Sequence, residues 1–133
     1  MTTSLPGGSS AKILVVEDQM IIAMFLTDLL DDLGFSVLGL ACNGAEASRL
    51  AEQEQPDVAM VDISLAAERD GVEIARDLVD RFGTKIIFMS GHDGVAEWPE
   101  VMALSPVAVL NKPCLPAQIE AALHQAVSTA VSV

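Results

Sequence analysis

Basic residues are scarce in this sequence. Seven lysines and arginines stand against 19 aspartates and glutamates, which gives a formal net charge of −12 over 133 residues. A surface of this charge repels nucleic-acid phosphates and anionic lipid headgroups, so it disfavours direct binding to DNA, RNA or a membrane surface. Cationic partners, including divalent metal ions, are favoured instead.

Long hydrophobic runs and a cysteine framework are also missing. Charges interrupt the apolar segments within about ten residues, well short of the roughly 20 that span a bilayer. The first ten residues lack the basic and apolar regions of a secretory signal. The two cysteines, Cys42 and Cys114, have no metal-ligand spacing. We interpret them as reduced, buried residues of a cytoplasmic protein.

Apolar residues make up 51% of the chain, enough for one buried core. We expect a flexible tail over residues 1–10, which are rich in Ser, Pro and Gly, and one domain over residues 11–133. No segment after the last predicted helix is long enough for an output domain.

Five short apolar runs alternate with helical patterns along that domain. The runs predict strands over Lys12–Glu17, Phe35–Leu40, Asp57–Asp62, Lys85–Ser90 and Val107–Asn111. Helices are predicted over Gln19–Leu33, Ala45–Gln55, Val72–Phe82 and Pro116–Val127, with a weak helix around Pro99. Such strands pair in parallel through right-handed crossovers. The predicted fold class is therefore α/β: a flavodoxin-like (βα)5 fold with a doubly wound, parallel five-stranded sheet inside a three-layer sandwich.

Polar residues end four of the five runs, at the edge where open parallel sheets bind ligands. Glu17 and Asp18 end the first strand, Asp62 the third, Ser90 the fourth and Lys112 the fifth. Acids that converge there repel one another, by about 4 kcal/mol for each pair ~4 Å apart at an effective dielectric constant near 20. We therefore expect a hard divalent cation, Mg2+, bound by carboxylates, a backbone carbonyl and water.

These groups predict phosphoryl transfer to a side chain. Beside Mg2+, Asp62 can attack a phosphoryl group and become an aspartyl phosphate, while Lys112 and Ser90 contact its oxygens. A nucleotide or flavin phosphate site is disfavoured, because Glu17-Asp18-Gln19 stands where a glycine-rich phosphate loop would follow the first strand.

The spacing of LVVED, VDIS, FMSG and LNKP resembles the receiver domain of bacterial two-component response regulators, over about Lys12 to Val127. The resemblance implies that Glu17 and Asp18 are a metal-binding acidic pair and that Asp62 is the phosphoacceptor. It further implies that the Ser90 hydroxyl and the Lys112 ammonium contact the phosphoryl group. It also implies that the backbone carbonyl of Ser64 binds Mg2+ and that the Lys112-Pro113 peptide bond is cis.

One position departs from the receiver pattern. Receivers usually carry Tyr or Phe three residues before the lysine, where this chain has Val109, which is too short for the usual relay between a hydroxyl and an aromatic ring. The segment Phe88–His92 together with Val109 resembles a subgroup with an FATG-like motif, many of whose members are stand-alone domains. His92 takes the place of that subgroup's loop aromatic. It is either an exposed loop residue or one that controls water access to the aspartyl phosphate.

The leading hypothesis is a stand-alone response regulator that is not an enzyme in the ordinary sense. A sensor histidine kinase or a histidine phosphotransfer protein donates the phosphoryl group to Asp62. The modified protein then binds a downstream protein target or passes the phosphate on. Two alternatives are a constitutive interaction module with an unused receiver pocket, and a phosphatase, which would normally need a second acid at the position of Ser64.

Overall fold

The computed structural model describes residues 11–65 and 70–131, so the tail predicted over residues 1–10 lies outside the described residues. Within these ranges, strands and helices alternate along the chain. The strands are β1 (Lys12–Val16), β2 (Ser36–Ala41), β3 (Val58–Asp62), β4 (Lys85–Ser90) and β5 (Ala108–Asn111). The helices are α1 (Met20–Asp32), α2 (Gly44–Gln53), α3 (Asp70–Phe82), α4 (Pro99–Met102) and α5 (Pro116–Val131).

The strands form one parallel sheet in the order β2-β1-β3-β4-β5. This is the doubly wound, flavodoxin-like order, so the predicted fold class is confirmed. The chain reverses direction across the sheet at β1. The crevice beyond the carboxyl ends of β1 and β3 is therefore the topological switch point, where ligands bind in such sheets.

Helices cover both faces of the sheet, and each face closes its own apolar cluster. Along β3, Val58 and Met60 pack toward α1 and α5, whereas Ala59 and Val61 pack toward α2 and α3. The central parts of β1 and β4 alternate in the same way and are buried on both sides. The three-layer sandwich is confirmed.

The segment between β4 and β5 is the least regular part of the helical layers. A 3-10 turn over Val95–Glu97 precedes α4, which is a single turn. Pro99 takes the first position of α4, where its missing N–H removes no helical hydrogen bond. The weak helix predicted around Pro99 is therefore present as a single turn that begins at this proline. None of the described helices is long and apolar enough to cross a bilayer.

The two cysteines are free, as predicted, but the prediction that they are buried is wrong. Cys42 and Cys114 are both half-buried. They follow β2 and β5, the two edge strands, where neighbouring structure covers only one side of the chain. Since β2 and β5 are the opposite edges of the sheet, the two thiols are not placed to pair with each other.

Gly71, in the first turn of α3, lets that helix approach the end of β3. A Cβ atom at this position would lie 2.1 Å from the backbone oxygen of Asp62 and 2.9 Å from the Cα of Ile63. The Gly71 N–H donates a hydrogen bond to the Ile63 carbonyl oxygen, 3.3 Å away. Only glycine leaves room for this approach, and through it α3 holds the backbone that carries Asp62.

We expect Gly71→Ala to lower the free energy of unfolding by about 1–3 kcal/mol, because the added methyl group forces the backbone at Asp62 to move. Urea unfolding followed by circular dichroism measures this loss. Gly91→Ala is the matched control, since no atom lies within 4 Å of a Cβ built there. An equal loss in both variants would contradict the close approach.

Candidate functional site

The alternation of side chains along the strands decides which polar residues meet at the carboxyl edge of the sheet. Glu17, Asp62 and Lys112 each lie two residues after a residue that packs toward α1 and α5, namely Val15, Met60 and Leu110. Because side chains two residues apart in a strand share a face, all three continue on that side of the sheet. The pleat therefore brings them together at the switch point.

Lys112 lies between two buried carboxylates. Its Nζ atom is 2.9 Å from Asp62 Oδ2 and 3.3 Å from Glu17 Oε1. Asp62 is 0% exposed and Glu17 is 1% exposed, whereas the Lys112 side chain keeps 20% of its surface. The Lys112-Pro113 peptide bond is cis, as the family resemblance implied. The only ammonium in contact with this pair among the described residues thus comes from the loop after β5.

The pocket raises the pKa of Glu17 and the pKa of Lys112, for different reasons. Burial raises the pKa of Glu17, and the Asp62 charge adds to the rise; the Gln19 N–H, which donates to Glu17 Oε2 at 3.1 Å, and Lys112 oppose it without cancelling it. Burial alone would lower the pKa of Lys112, but its contacts with Asp62 and Glu17 outweigh that effect and raise it. Lys112 is therefore a firmly protonated cation at neutral pH.

Asp18 supplies a third carboxylate from the solvent side. One oxygen each of Glu17, Asp18 and Asp62 lie within 4.8 Å of one another, and Asp18 is exposed while the other two are buried. Glu17 Oε1 is buried and lies 3.3 Å from the Lys112 ammonium, but no described residue donates a hydrogen bond to it. Buried acceptors are normally satisfied. An all-oxygen set with one open acceptor fits a hard divalent cation.

The loop after β3 begins with a contact to Asp62. The Ser64 N–H donates to Asp62 Oδ1 at 2.9 Å, which orients the carboxylate. The Ser64 Oγ atom is shielded from solvent and has no hydrogen-bond partner among the described residues. The family resemblance implied that the Ser64 carbonyl binds the metal ion, which stays a prediction, and the sequence gave no signal for this hydroxyl.

Ser90 is buried at the end of β4 but belongs to the opposite face of the sheet. It lies two residues after Phe88, which packs toward α2 and α3. Its hydroxyl donates to the His92 carbonyl oxygen at 3.1 Å and accepts from the His92 N–H at 2.9 Å. The structure therefore brings Glu17, Asp18, Asp62 and Lys112 together, while the described hydrogen bonds of the Ser90 hydroxyl are with the backbone of His92. Its contact with a phosphoryl group stays a prediction.

Val109 lies on the same face as Ser90. It is the strand neighbour of Phe88, and it is half-buried against the cluster that Trp98 and Leu104 also cover. Trp98 is thus a packing residue, and it provides an aromatic ring on the side of the sheet where β5 has none. His92 is exposed, in line with the first of its two interpretations.

Comparison with known proteins agrees with this geometry. The sequence matches the response regulator receiver domain family over residues 13–124. It is 32% identical over 126 residues to the phyllosphere-induced regulator PhyR of Methylorubrum extorquens, an alignment that covers 92% of this chain and 45% of PhyR. The chain spans less than two thirds of the curated relatives that it matches most strongly.

Two solved structures share the whole fold. The signal receiver domain of a modulated diguanylate cyclase from Desulfovibrio desulfuricans superimposes with a TM-score of 0.82 at 33% identity, covering 91% of this chain and 96% of that one. The receiver domain of the Erythrobacter litoralis response regulator PhyR gives a TM-score of 0.79 at 26% identity, covering 93% and 95%. The sequence and the fold thus point to the same family.

We expect Lys112→Met to lower the free energy of unfolding by about 3 kcal/mol at pH 8 without divalent ions, because it leaves two buried carboxylates uncompensated. The loss should shrink at pH 5. The pKa of Glu17 is already raised in the folded state, and removal of the ammonium raises it further, so the folded variant takes up a proton and its stability falls as pH rises.

Urea unfolding at the two pH values measures this difference. Lys12→Met is the control, because Lys12 and Glu54 form an exposed pair at 3.3 Å whose loss should cost less than about 1 kcal/mol. A loss in Lys112→Met that is small, or that does not depend on pH, would contradict the buried charge arrangement.

Proposed function

The chain belongs to the response regulator receiver family, and from this premise we propose that it is a signalling switch that accepts a phosphoryl group on Asp62 from a phosphohistidine. The single observation that carries the proposal is the contact of a firmly protonated Lys112 with a buried Asp62 at the switch point of the sheet. A carboxylate held in place beside a cation is a suitable nucleophile for a group that arrives with negative charge.

The transfer is a direct displacement at phosphorus. An Asp62 carboxylate oxygen forms the new O–P bond, the P–N bond to the donor imidazole breaks, and its electron pair leaves with the imidazole nitrogen. Lys112 Nζ, now on Asp62 Oδ2, is positioned to contact the phosphoryl oxygens as the carboxylate charge is replaced by that of the phosphoryl group. The Ser64 N–H keeps the other carboxylate oxygen in place.

We assign the cation site to Mg2+. Glu17, Asp18 and Asp62 would hold it, together with the carbonyl of Ser64. A bound Mg2+ supplies positive charge that offsets the phosphoryl oxygens during transfer. The open Glu17 acceptor and the oxygen-only donor set support this assignment.

The output is binding to a protein target or passage of the phosphate to another protein. A net charge of −12 disfavours nucleic acid as a direct partner. The receiver relatives, such as PhyR, are named as regulators, and we propose a regulatory and not an enzymatic role for this chain. The FATG-like subgroup, the stand-alone architecture and the cytoplasmic location inferred from the sequence stay predictions.

The signal reaches the surface through the loop after β4. When Ser90 turns to the phosphoryl group, its hydroxyl leaves the two His92 backbone contacts that now close the loop. That loop leads through the 3-10 turn to α4, where Trp98 packs on the same cluster as Val109. We propose that movement of this segment, not rotation of an aromatic residue on β5, reports phosphorylation.

The donor protein docks on the first turns of α1. Met20, Ile21, Met24 and Phe25 form an apolar patch there, which we call the α1 patch, and Ile21 is 83% exposed. The patch begins next to Gln19, whose N–H bonds Glu17, so it borders the proposed phosphoacceptor site. Exposed apolar side chains clustered beside a reaction centre favour a protein partner over a small molecule.

We expect phosphoramidate with Mg2+ to add one phosphoryl group to the wild type and none to Asp62→Asn, as measured by intact-protein mass. Asp80→Asn, which removes an exposed carboxylate from α3, should behave as the wild type does. Modification of Asp62→Asn at the wild-type level would assign the acceptor elsewhere. No modification of any form would favour a constitutive interaction module.

We expect Ile21→Lys to slow phosphorylation by a histidine-phosphorylated phosphotransfer domain at least tenfold and to leave the rate with phosphoramidate unchanged, because only the protein donor buries the α1 patch. Rates are measured by the loss of radiolabel from the donor. Met102→Lys is the control, since Met102 is 61% exposed on α4. Equal slowing by both substitutions, or slowing with the small donor, would contradict docking on α1.

A further inference from the structure

The hydroxyl of Ser64 is buried and has no hydrogen-bond partner among the described residues. A serine hydroxyl offers one donor and two acceptor positions, and a buried hydroxyl that uses none of them is destabilising. Such a hydroxyl beside a reaction centre is expected to form its hydrogen bond with a group that is present only in the modified protein.

The position of Ser64 indicates what that partner is. Its own N–H donates to Asp62 Oδ1 at 2.9 Å, so the residue borders the carboxylate that would carry the phosphoryl group. The start of the loop after β3 is held in place by α3, because Gly71 packs closely against the backbone of Asp62 and Ile63 and its N–H donates to the Ile63 carbonyl oxygen. The backbone of Ser64 is therefore held beside the carboxylate, and its hydroxyl belongs to a residue that already contacts Asp62.

Near Asp62 Oδ1, none of the other described site residues supplies a side-chain hydrogen-bond donor. Lys112 Nζ lies on the Asp62 Oδ2 side of the carboxylate. The Ser90 hydroxyl donates to the His92 carbonyl oxygen and accepts from the His92 N–H. The described donor to Asp62 Oδ1 is the N–H of Ser64, and the hydroxyl of this same residue has no hydrogen-bond partner among the described residues.

We infer that Ser64 is a catalytic residue whose hydroxyl donates a hydrogen bond to an oxygen of the phosphoryl group on Asp62. This inference depends on the proposed function, because it needs Asp62 to carry the group. Donation to a charged oxygen satisfies the hydroxyl only in the modified state, so it stabilises that state relative to the unmodified protein. Removal of the hydroxyl should cost the unmodified fold nothing.

Beryllofluoride with Mg2+ serves as the probe, because it occupies a carboxylate as a phosphoryl analogue without being turned over. Calorimetry should give an affinity about tenfold weaker for Ser64→Ala than for the wild type, which corresponds to about 1.4 kcal/mol. Ser64→Thr, which keeps the hydroxyl, should recover most of the loss. Ser36→Ala, on the exposed start of β2, is the control and should bind as the wild type does.

A second readout separates contact from a structural effect. The 19F spectrum of bound beryllofluoride should show one fluorine resonance displaced in Ser64→Ala and none displaced in Ser36→Ala. Urea unfolding without the probe should find Ser64→Ala at least as stable as the wild type, because the variant loses only an unsatisfied group. A less stable variant would overturn the premise that the hydroxyl lacks a partner.

The outcomes distinguish this inference from the proposed function. If the wild type binds the probe, Asp62→Asn does not, and Ser64→Ala binds at full strength, the hydroxyl has no role and the proposed function stands. If the wild type binds no probe, the proposed function itself fails. If the aspartyl phosphate of Ser64→Ala outlives that of the wild type, the hydroxyl acts on the attacking water, and the inference is wrong.

Discussion

The site depends on two buried carboxylates that the fold holds close together. Asp62 and Glu17 end adjacent strands that are buried on both faces, so neither can turn to solvent without disturbing the sheet. Lys112 is the one described cation that reaches both of them. One ammonium against two acids, with Asp18 at the rim, leaves an excess of negative charge that a further cation would relieve. The fold maintains this imbalance, and the chemistry that we propose uses it.

The pleat of the sheet divides the site between the two helical layers. Glu17, Asp62 and Lys112 continue the face that packs on α1 and α5, whereas Ser90 continues the face that packs on α2 and α3, together with Val109. A shift of one residue in any strand would exchange these assignments. The charged half of the site therefore adjoins the α1 patch, and the hydroxyl half adjoins the loop that leads to α4. A phosphoryl group on Asp62 would be the contact that connects the two layers.

The fold and most of the site could be predicted because both follow from local patterns. Apolar runs of strand length, and the polar residues that end them, place Glu17, Asp62 and Lys112 at one edge of a parallel sheet. Because side chains two residues apart in a strand share a face, the sequence could also have predicted that Ser90 shares the face of Phe88, opposite to that of Asp62. Gly71 could not be foreseen: the sequence predicted α3 from Val72, and the approach of α3 to β3 is a matter of tertiary packing. The exposure of Cys42 and Cys114 likewise depends on which strands are at the edges.

The net charge of the chain also affects which phosphoryl donors can approach the proposed acceptor site. At −12, the protein repels a free phosphate donor that is itself an anion, although salt screens this repulsion beyond about 8 Å at physiological ionic strength. In the proposed function, a donor that docks through apolar contacts on α1 would avoid much of the long-range penalty, because it would bring its phosphohistidine to short range of Lys112. Under the proposed function, the scarcity of basic residues disfavours free anionic donors without excluding them, and the exposed apolar turns of α1 favour the same group when a bound protein delivers it.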